Sequence, residues 1–229
     1  MARQARIKAP GQIYSVVTRV NNSDFAFKEK SPSEAFLEHL KAVKKKHGFK
    51  LYGFMIMASH VHLIIEPCAE FFDISADISA IMRDINGGFA QKYNMHNKRK
   101  GHFWMQRFSS KLVERGRYLA NTVIYFALNP VKAGITDNPL KYEYSSVHAL
   151  TGGRFSDLAD PLPEDIREIV LEFLKRNDYF ELLAKCARIM KRFSFDLRKT
   201  RLEQRFRNFT GSNKFIRQFS FVHGADKNK

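Results

Sequence analysis

Cysteine, acidic residues and long apolar runs are scarce in this sequence. Its two cysteines, Cys68 and Cys186, are far apart and fit no zinc-binding spacing, which indicates reduced thiols. No apolar run is long enough to span a membrane. The basic start, Met1–Pro10, lacks the apolar core of a secretory signal. The sequence therefore argues against disulfide-framed, secreted and membrane-spanning classes and predicts a cytoplasmic protein.

Positive charge and aromatic side chains are what the chain has in excess. Its 39 Lys and Arg residues outnumber 23 Asp and Glu, for a net charge of +16, and Phe occurs 21 times in 229 residues. An isoelectric point near 9.9 indicates a polyanionic partner, with nucleic acid as the first candidate and an anionic membrane surface as the second. The apolar share of 44% is sufficient for a core and argues against a disordered chain.

Most of this charge lies near the C-terminus. Residues 185–229 hold 13 Lys and Arg against 3 Asp and Glu, a net charge of +10 interleaved with Phe. The Gly- and Pro-containing segment Thr151–Pro163 precedes a helical apolar stripe and predicts a boundary. We expect one domain before this segment and, after it, a basic helical extension over 164–229 whose cations contact DNA. The alternative is an extension with Phe packed inside and its cations facing solvent. The densest cationic cluster consists of Arg198, Lys199, Arg201, Arg205 and Arg207.

Strand and helix patterns alternate along the first 150 residues. The tetrapeptide Ser31-Pro32-Ser33-Glu34 predicts a helix with Ser31 as its N-cap. The gap between the second and third strands is too short for anything but a hairpin. The order β-α-β-β-α-β, followed by a helix, predicts the ferredoxin-like α+β class with a split βαβ antiparallel sheet. We predict strands at Ile13–Val20, Leu51–Met57, Val61–Glu66 and Phe108–Val113, and helices at 31–46, 74–97 and 116–128.

His60-Val61-His62 is the first candidate for chemistry. Residues two apart on a strand project from the same face, so two imidazoles could together bind one divalent cation. Such a pair arises easily by chance, and two solvent-facing histidines are an equal alternative. The location favours the ligand interpretation, because the other face of this strand, with Leu63 and Ile65, is apolar.

Tyr125 and Asn129 form a second candidate at the end of a predicted helix. Being four residues apart, they project from one helix face. A tyrosine hydroxyl is a possible nucleophile on phosphorus, and an amide oxygen suits a hard metal ion. Taken alone, Asn129-Pro130 is better interpreted as a helix stop and Tyr125 as a residue at the boundary of the core.

Basic residues surround the single tryptophan of the chain. A basic turn leads into Gly101–Arg107, and this pattern suits a strand edge that contacts phosphates and stacks a base. A core tryptophan beside a solvated basic turn is equally compatible. The predicted DNA contacts in this region are Lys98, Arg99, Lys100, Trp104, Arg107 and Lys111.

Taken in order, these segments resemble the REP-associated tyrosine transposases, a branch of the single-tyrosine HUH transposases that are also called IS200-like. The resemblance covers about residues 1–153, which it implies to be the catalytic domain, and Ser15 and Val20 depart from the family's usual residues. It rests on Pro10-Gly11 with Tyr14, on Ser59–Glu66, on Gly101–Phe108, on Tyr125–Gly134 and on Tyr144-Ser145-Ser146.

The resemblance implies His60, His62 and Asn129 as ligands of Mg²⁺ or Mn²⁺ and Tyr125 as the nucleophile. It implies a metal-dependent endonuclease and strand transferase that acts on single-stranded DNA beside hairpins, the repetitive extragenic palindromes, through a 5′-phosphotyrosine. Such a protein would be bacterial, nucleoid-associated, independent of membranes, and a monomer or homodimer.

Two other functions are open at this point. A domesticated hairpin-binding protein without turnover is disfavoured, because all four candidate site residues are present. An RNA-binding protein is disfavoured, because the Lys/Arg-Gly-Phe aromatic signature of that module is missing.

Overall fold

The computed structural model describes residues 11–21, 25–68, 77–176, 178, 179 and 181, and the backbone of 209–210. Regular elements occupy most of this part of the chain. The strands are β1 (Ile13–Arg19), β2 (Lys50–Met57), β3 (His60–Glu66), β4 (Ser109–Val113) and β5 (Phe209–Thr210), and the helices are α1 (Lys30–His47), α2 (Ile78–His96), α3 (Arg117–Ala127), α4 (Asn129–Lys132), α5 (Ser146–Leu150) and α6 (Glu164–Leu174).

The five strands form one sheet in the order β2-β3-β1-β4-β5. The first four are antiparallel neighbours, with β3 and β1 at the centre. The predicted α+β class with a split βαβ sheet is thereby confirmed. The short strand β5 pairs in parallel with β4 and was not predicted.

Helices cover both faces of the sheet. On one face, side chains such as Val16 and Leu63 pack against α1 and α2 in a core that includes Phe36 and Phe89. On the other, residues such as Ile64 pack against α3, α5 and α6. Because strand residues alternate between faces, Val61, Leu63 and Ile65 enter the first core, while His60 and His62 lie on the side of α3.

The start of α1 differs from the prediction. The helix begins at Lys30, and its N-cap residue is Glu29, which makes no side-chain cap bond. The fully buried Ser33 hydroxyl donates instead to the carbonyls of Phe27 and Glu29, each at 3.2 Å. The prediction of Ser31 as the N-cap was therefore wrong, because Ser33 ties the helix to the turn before it.

Helix α2 contains the pair Gly87-Gly88 in its interior. Asp77 caps it by accepting bonds from the amides of Ser79 and Ala80 at 2.7 and 2.8 Å. A Cβ atom at residue 88 would lie 2.8 Å from the His39 ring of α1. The glycine therefore permits the close packing of α1 on α2. Residues 74–76 of the predicted helix lie outside the described residues.

The chain does not leave the helical conformation at Asn129-Pro130. Leu128 keeps helical angles, and α4 adds one further turn, with the Lys132 amide donating to the Leu128 carbonyl at 2.8 Å. Proline is acceptable in the first turn of a helix because its missing N–H would have no partner there. Helix α3 therefore ends at Ala127, within one residue of the predicted end, and α4 continues the course for one further turn that was not predicted.

Helix α6 packs directly on α3. Its Ile166, Val170 and Leu174 are buried in the same core as Val123 and Phe126 of α3. The segment that follows the predicted boundary is thus part of this core as far as Leu174, and the boundary itself stays a prediction. Within the described ranges, no helix is long and apolar enough to cross a membrane.

Candidate active site

The two histidines of β3 lie side by side on the face that carries α3. His62 is only 5% exposed, His60 is half-buried, and their ring centroids are 4.9 Å apart. In the antiparallel register, His62 is opposite Val17 of β1 and His60 is opposite Arg19. The predicted projection of both imidazoles from one strand face is confirmed.

Burial makes both imidazoles weak bases. It lowers the pKa of His62 to about 3, with smaller contributions from the charges of His60 and Arg19. Burial, followed by the charge of Arg19, also lowers the pKa of His60. Both rings are therefore neutral at neutral pH, which is the protonation state that binds metal ions.

Helix α3 places Tyr125 at the edge of this pair. Val123, Phe126 and Ala127 enter the core, and the Phe126 ring packs on His62 at a centroid distance of 4.8 Å. Tyr125 is 47% exposed, and its ring is 6.4 Å from that of His62 in an edge-on arrangement. The tyrosine is thus open to solvent beside the buried histidine, and the core interpretation of Tyr125 was wrong.

Two of the candidate ligands have buried polar atoms without partners among the described residues. Both ring nitrogens of His62 and the side-chain nitrogen of Asn129 are buried and make no hydrogen bond. Each such atom costs about 1–3 kcal/mol, so an arrangement of this kind usually has a function or a missing ligand. A 180° rotation of the Asn129 amide exchanges its nitrogen and oxygen, so the oxygen can take the buried position and accept a cation there.

The donors present fit a divalent cation. Two neutral imidazoles and an amide oxygen form a mixed nitrogen and oxygen set that is compatible with Mn²⁺ or Mg²⁺. Asn129 follows Tyr125 by one helical turn, so the helical course through Leu128 keeps the two on one side. Among the described residues, no group of three or more His, Cys, Asp or Glu could hold a metal ion, so a site here depends on the amide.

Four of the predicted DNA contacts present free cationic side chains. Lys98, Lys100, Arg107 and Lys111 are all exposed. Lys111 lies on β4 opposite Ser15, which is in turn opposite Ile64, so it shares the sheet face with the histidines. Lys98 adopts a left-handed conformation with φ 50°, which forms the sharp turn after α2.

Arg99 and Trp104 have structural contacts instead. The Arg99 guanidinium donates to the side-chain oxygen of Asn94 at 3.3 Å and to the carbonyl of His102 at 3.2 Å. The Trp104 ring is half-buried against the first core, and its N–H donates to the Asn86 carbonyl at 2.8 Å. The structure favours the core alternative for Trp104, while DNA contact by either residue stays a prediction.

The predicted cluster in the C-terminal extension cannot be placed. These cations lie outside the described residues: Arg198, Lys199, Arg201, Arg205 and Arg207.

Arg19 is the site residue that sequence reasoning missed. Arg19 is the last residue of β1 and lies opposite His60, and its side chain is exposed. A lone arginine after a β-branched run carries no motif, and only the strand register brings it to the histidines. The available signal was strand alternation. Arg19 is an even number of residues from Ile13, Ser15 and Val17, so it shares their sheet face, which is the face that carries α3.

Known proteins resemble the chain in both sequence and fold. The family model described as "Transposase IS200 like" matches residues 9–126, a range that includes both histidines and Tyr125 and ends before Asn129. A solved structure of a REP-associated tyrosine transposase bound to a REP hairpin is similar, with a TM-score of 0.56 and 18% identity. The match covers 71% of this chain and 94% of that one.

A weaker match is the crystal structure of a candidate transposase from Deinococcus radiodurans R1. Its TM-score is 0.37 at 13% identity, over 50% of this chain and 86% of that one, and it carries no argument. No curated protein matches the chain. At these identities the structural likeness establishes the fold alone.

Proposed function

Since the chain belongs to the IS200-like transposase family, we propose that it is a metal-dependent endonuclease and strand transferase for single-stranded DNA. One observation carries the proposal. Two neutral histidines, one with both nitrogens buried and unpartnered, lie on one sheet face beside an exposed tyrosine. A buried imidazole without a partner in the protein is the arrangement expected of a metal ligand, and an exposed tyrosine beside it is placed to act as a nucleophile.

Tyr125 is the nucleophile in this proposal. Its hydroxyl oxygen forms a bond to phosphorus as the bond from phosphorus to the 3′-oxygen of the preceding nucleotide breaks. The tyrosine gives up its proton and the departing 3′-oxygen acquires one, so the products are a 5′-phosphotyrosine and a free 3′-hydroxyl. The new ester retains the energy of the broken one, and rejoining to another 3′-hydroxyl needs no external energy source.

His60, His62 and Asn129 would hold the divalent cation. When bound, the cation polarises the scissile phosphate and offsets the charge that develops on its oxygens. The low pKa values of the histidines mean that no proton has to leave the rings for binding to occur. Packing of Phe126 on His62 fixes the orientation of that ring.

Single-stranded DNA beside a hairpin is the substrate that these features suit. The net charge of +16 favours a polyanion, and the exposed Lys111 shares the sheet face with the histidines. The similar solved transposase is bound to a REP hairpin, which supports the choice of a hairpin as the first ligand to test.

Covalent trapping tests the proposal. The protein is incubated with a labelled oligonucleotide that carries an imperfect hairpin and single-stranded flanks, with Mn²⁺, with Mg²⁺ or with EDTA. We expect a denaturation-resistant adduct with the 5′-phosphate fragment and a shorter product with a 3′-hydroxyl, in the metal lanes only. Binding without any adduct would contradict the proposal and favour a hairpin-binding protein, and tighter binding to an RNA of the same sequence would favour an RNA-binding protein.

The basic extension should contribute to DNA affinity more than to chemistry. If its five-residue cationic cluster contacts the DNA backbone, changing all five residues to Gln should weaken hairpin binding. The affinity should also depend less steeply on salt concentration. The expected change in slope is roughly 0.7 per lost contact on single strands. The check is affinity at several salt concentrations. The residues changed are Arg198, Lys199, Arg201, Arg205 and Arg207.

The matching deletion has to spare α6. Ile166, Val170 and Leu174 are part of the core behind α3, so a cut before Glu164 would disturb the tyrosine helix itself. A chain that ends at residue 181 removes the cluster and keeps this packing, but it also removes β5 from its place beside β4, so thermal melting has to confirm that the shortened chain is folded. Equal affinities and parallel salt slopes for the full and shortened chains would make the extension a structural appendage.

A further inference from the structure

Arg19 is a cation in the candidate site that has no ion-pair partner among the described residues. It lies on β1 directly opposite His60, and facing residues of antiparallel strands have Cβ atoms only about 5 Å apart. Its side chain is exposed. None of the ion pairs in the described part of the chain involves Arg19.

The position of Arg19 is fixed by the backbone around it. Its carbonyl accepts a bond from the Met105 amide at 2.9 Å, and the next residue, Val20, forms an isolated bridge with Trp104. The end of the strand is thereby held by the chain that leads into β4. The guanidinium therefore projects from an anchored strand end rather than from a loose loop.

The charges at this place favour an anion. Arg19 lies opposite His60 in the register of β1 on β3, so its positive charge lies on the same sheet face as the proposed metal ligands. A divalent cation on His60 and His62 would be repelled by a neighbouring guanidinium. A negative group between two positive groups offsets their repulsion, and the scissile phosphate is the anion that the substrate brings to this place.

We propose that Arg19 binds a non-bridging oxygen of the scissile phosphate and offsets the charge that grows there as Tyr125 attacks. The inference rests on the proposed function, because it assigns a role within the same reaction. A guanidinium suits it better than an ammonium would, since its planar fork donates two parallel bonds to two phosphate oxygens.

Single-turnover trapping with three variants tests the role. In Arg19→Gln we expect adduct formation to slow by about 100-fold, the usual effect of removing one donor to a developing oxyanion. Hairpin affinity should fall by less than about tenfold, because one phosphate contact among several is lost. Arg19→Lys keeps the charge without the fork and should recover part of the rate.

Arg83→Gln is the matched control for net charge. Arg83 is an arginine on α2, in the opposite layer, with a side chain that is 76% exposed. The variant Arg83→Gln removes one positive charge far from the histidines. We expect its rate of adduct formation to stay within about twofold of wild type. Thermal melting of each variant confirms that it is folded, and Arg19→Lys provides the comparison if Arg19→Gln is unstable.

A substrate with a neutral methylphosphonate at the cleavage position separates phosphate binding from a structural effect. This substrate lacks the negative charge of the non-bridging oxygens, so Arg19 has less charge to stabilise. On it, the rate of adduct formation by Arg19→Gln should be within about threefold of the wild-type rate. An unchanged deficit on this substrate overturns the inference, as does a rate for Arg19→Gln on normal DNA equal to that of Arg83→Gln. If wild type itself forms no adduct on normal DNA, the proposed function fails and the inference falls with it.

Discussion

Replacing Tyr125 with Phe should abolish the covalent adduct and the strand cleavage, with a loss of at least about 1,000-fold, because only the nucleophilic oxygen is removed. The hydroxyl lies on a side chain that is 47% exposed, and the ring keeps its edge-on contact with His62. Folding and hairpin affinity should therefore remain within about twofold of wild type. The measurements are a denaturing gel for the adduct and a native gel shift for binding.

Tyr118→Phe provides the matched control for this experiment. Tyr118 is the other tyrosine of α3 and is half-buried against the second core. We expect full adduct formation in this variant. An adduct that survives in Tyr125→Phe and disappears in Tyr118→Phe would reassign the nucleophile.

Loss of either histidine should remove metal-dependent cleavage, as EDTA should for wild type. Two of the three proposed ligands come from one strand, so His60→Gln or His62→Gln should weaken Mn²⁺ binding and lower the rate by at least about 100-fold. Calorimetric titration with Mn²⁺ measures the first effect independently of activity. His96→Gln changes an exposed histidine at the end of α2 and should leave both quantities unchanged. Full activity in EDTA would contradict the metal assignment.

His62 should also impair stability in the absence of metal. Both of its nitrogens are buried without partners, and burying each costs about 1–3 kcal/mol. His62→Leu, which has similar volume and no polar atom, should therefore raise the free energy of unfolding of the metal-free protein while abolishing Mn²⁺ binding. Chemical denaturation in EDTA measures this change. A large loss of stability would indicate that His62 is a packing residue.

The sequence was sufficient for the parts of the site that lie close together along the chain. The alternation in Val61–Glu66 assigns the two histidines to one face, and the spacing of Tyr125 and Asn129 assigns these two to one side of a helix. Both patterns depend on the geometry of a single element, which local spacing determines. The α+β class with a split βαβ sheet followed similarly, because the order of elements along the chain leaves few arrangements.

What sequence reasoning missed depends on contacts between distant segments. Arg19 reaches His60 only through the register of β1 on β3, and no local pattern specifies a register. The packing of α6 on α3 and the hydrogen bond from Trp104 to Asn86 are likewise tertiary. At the start of α1, the sequence indicated Ser31 as the cap, but the buried Ser33 hydroxyl makes the bond to the preceding turn. Local propensity does not predict that burial.

Trp104 is an intrinsic fluorescent probe of this protein. It is the only tryptophan in the chain, so its fluorescence comes from one known place. Its indole is half-buried among Phe27, Phe36 and Phe103, and the adjacent Val20 follows directly after Arg19. The emission maximum should therefore report exposure of the first core during unfolding. It should also respond when a ligand rearranges the strand end that carries Arg19, without any added label.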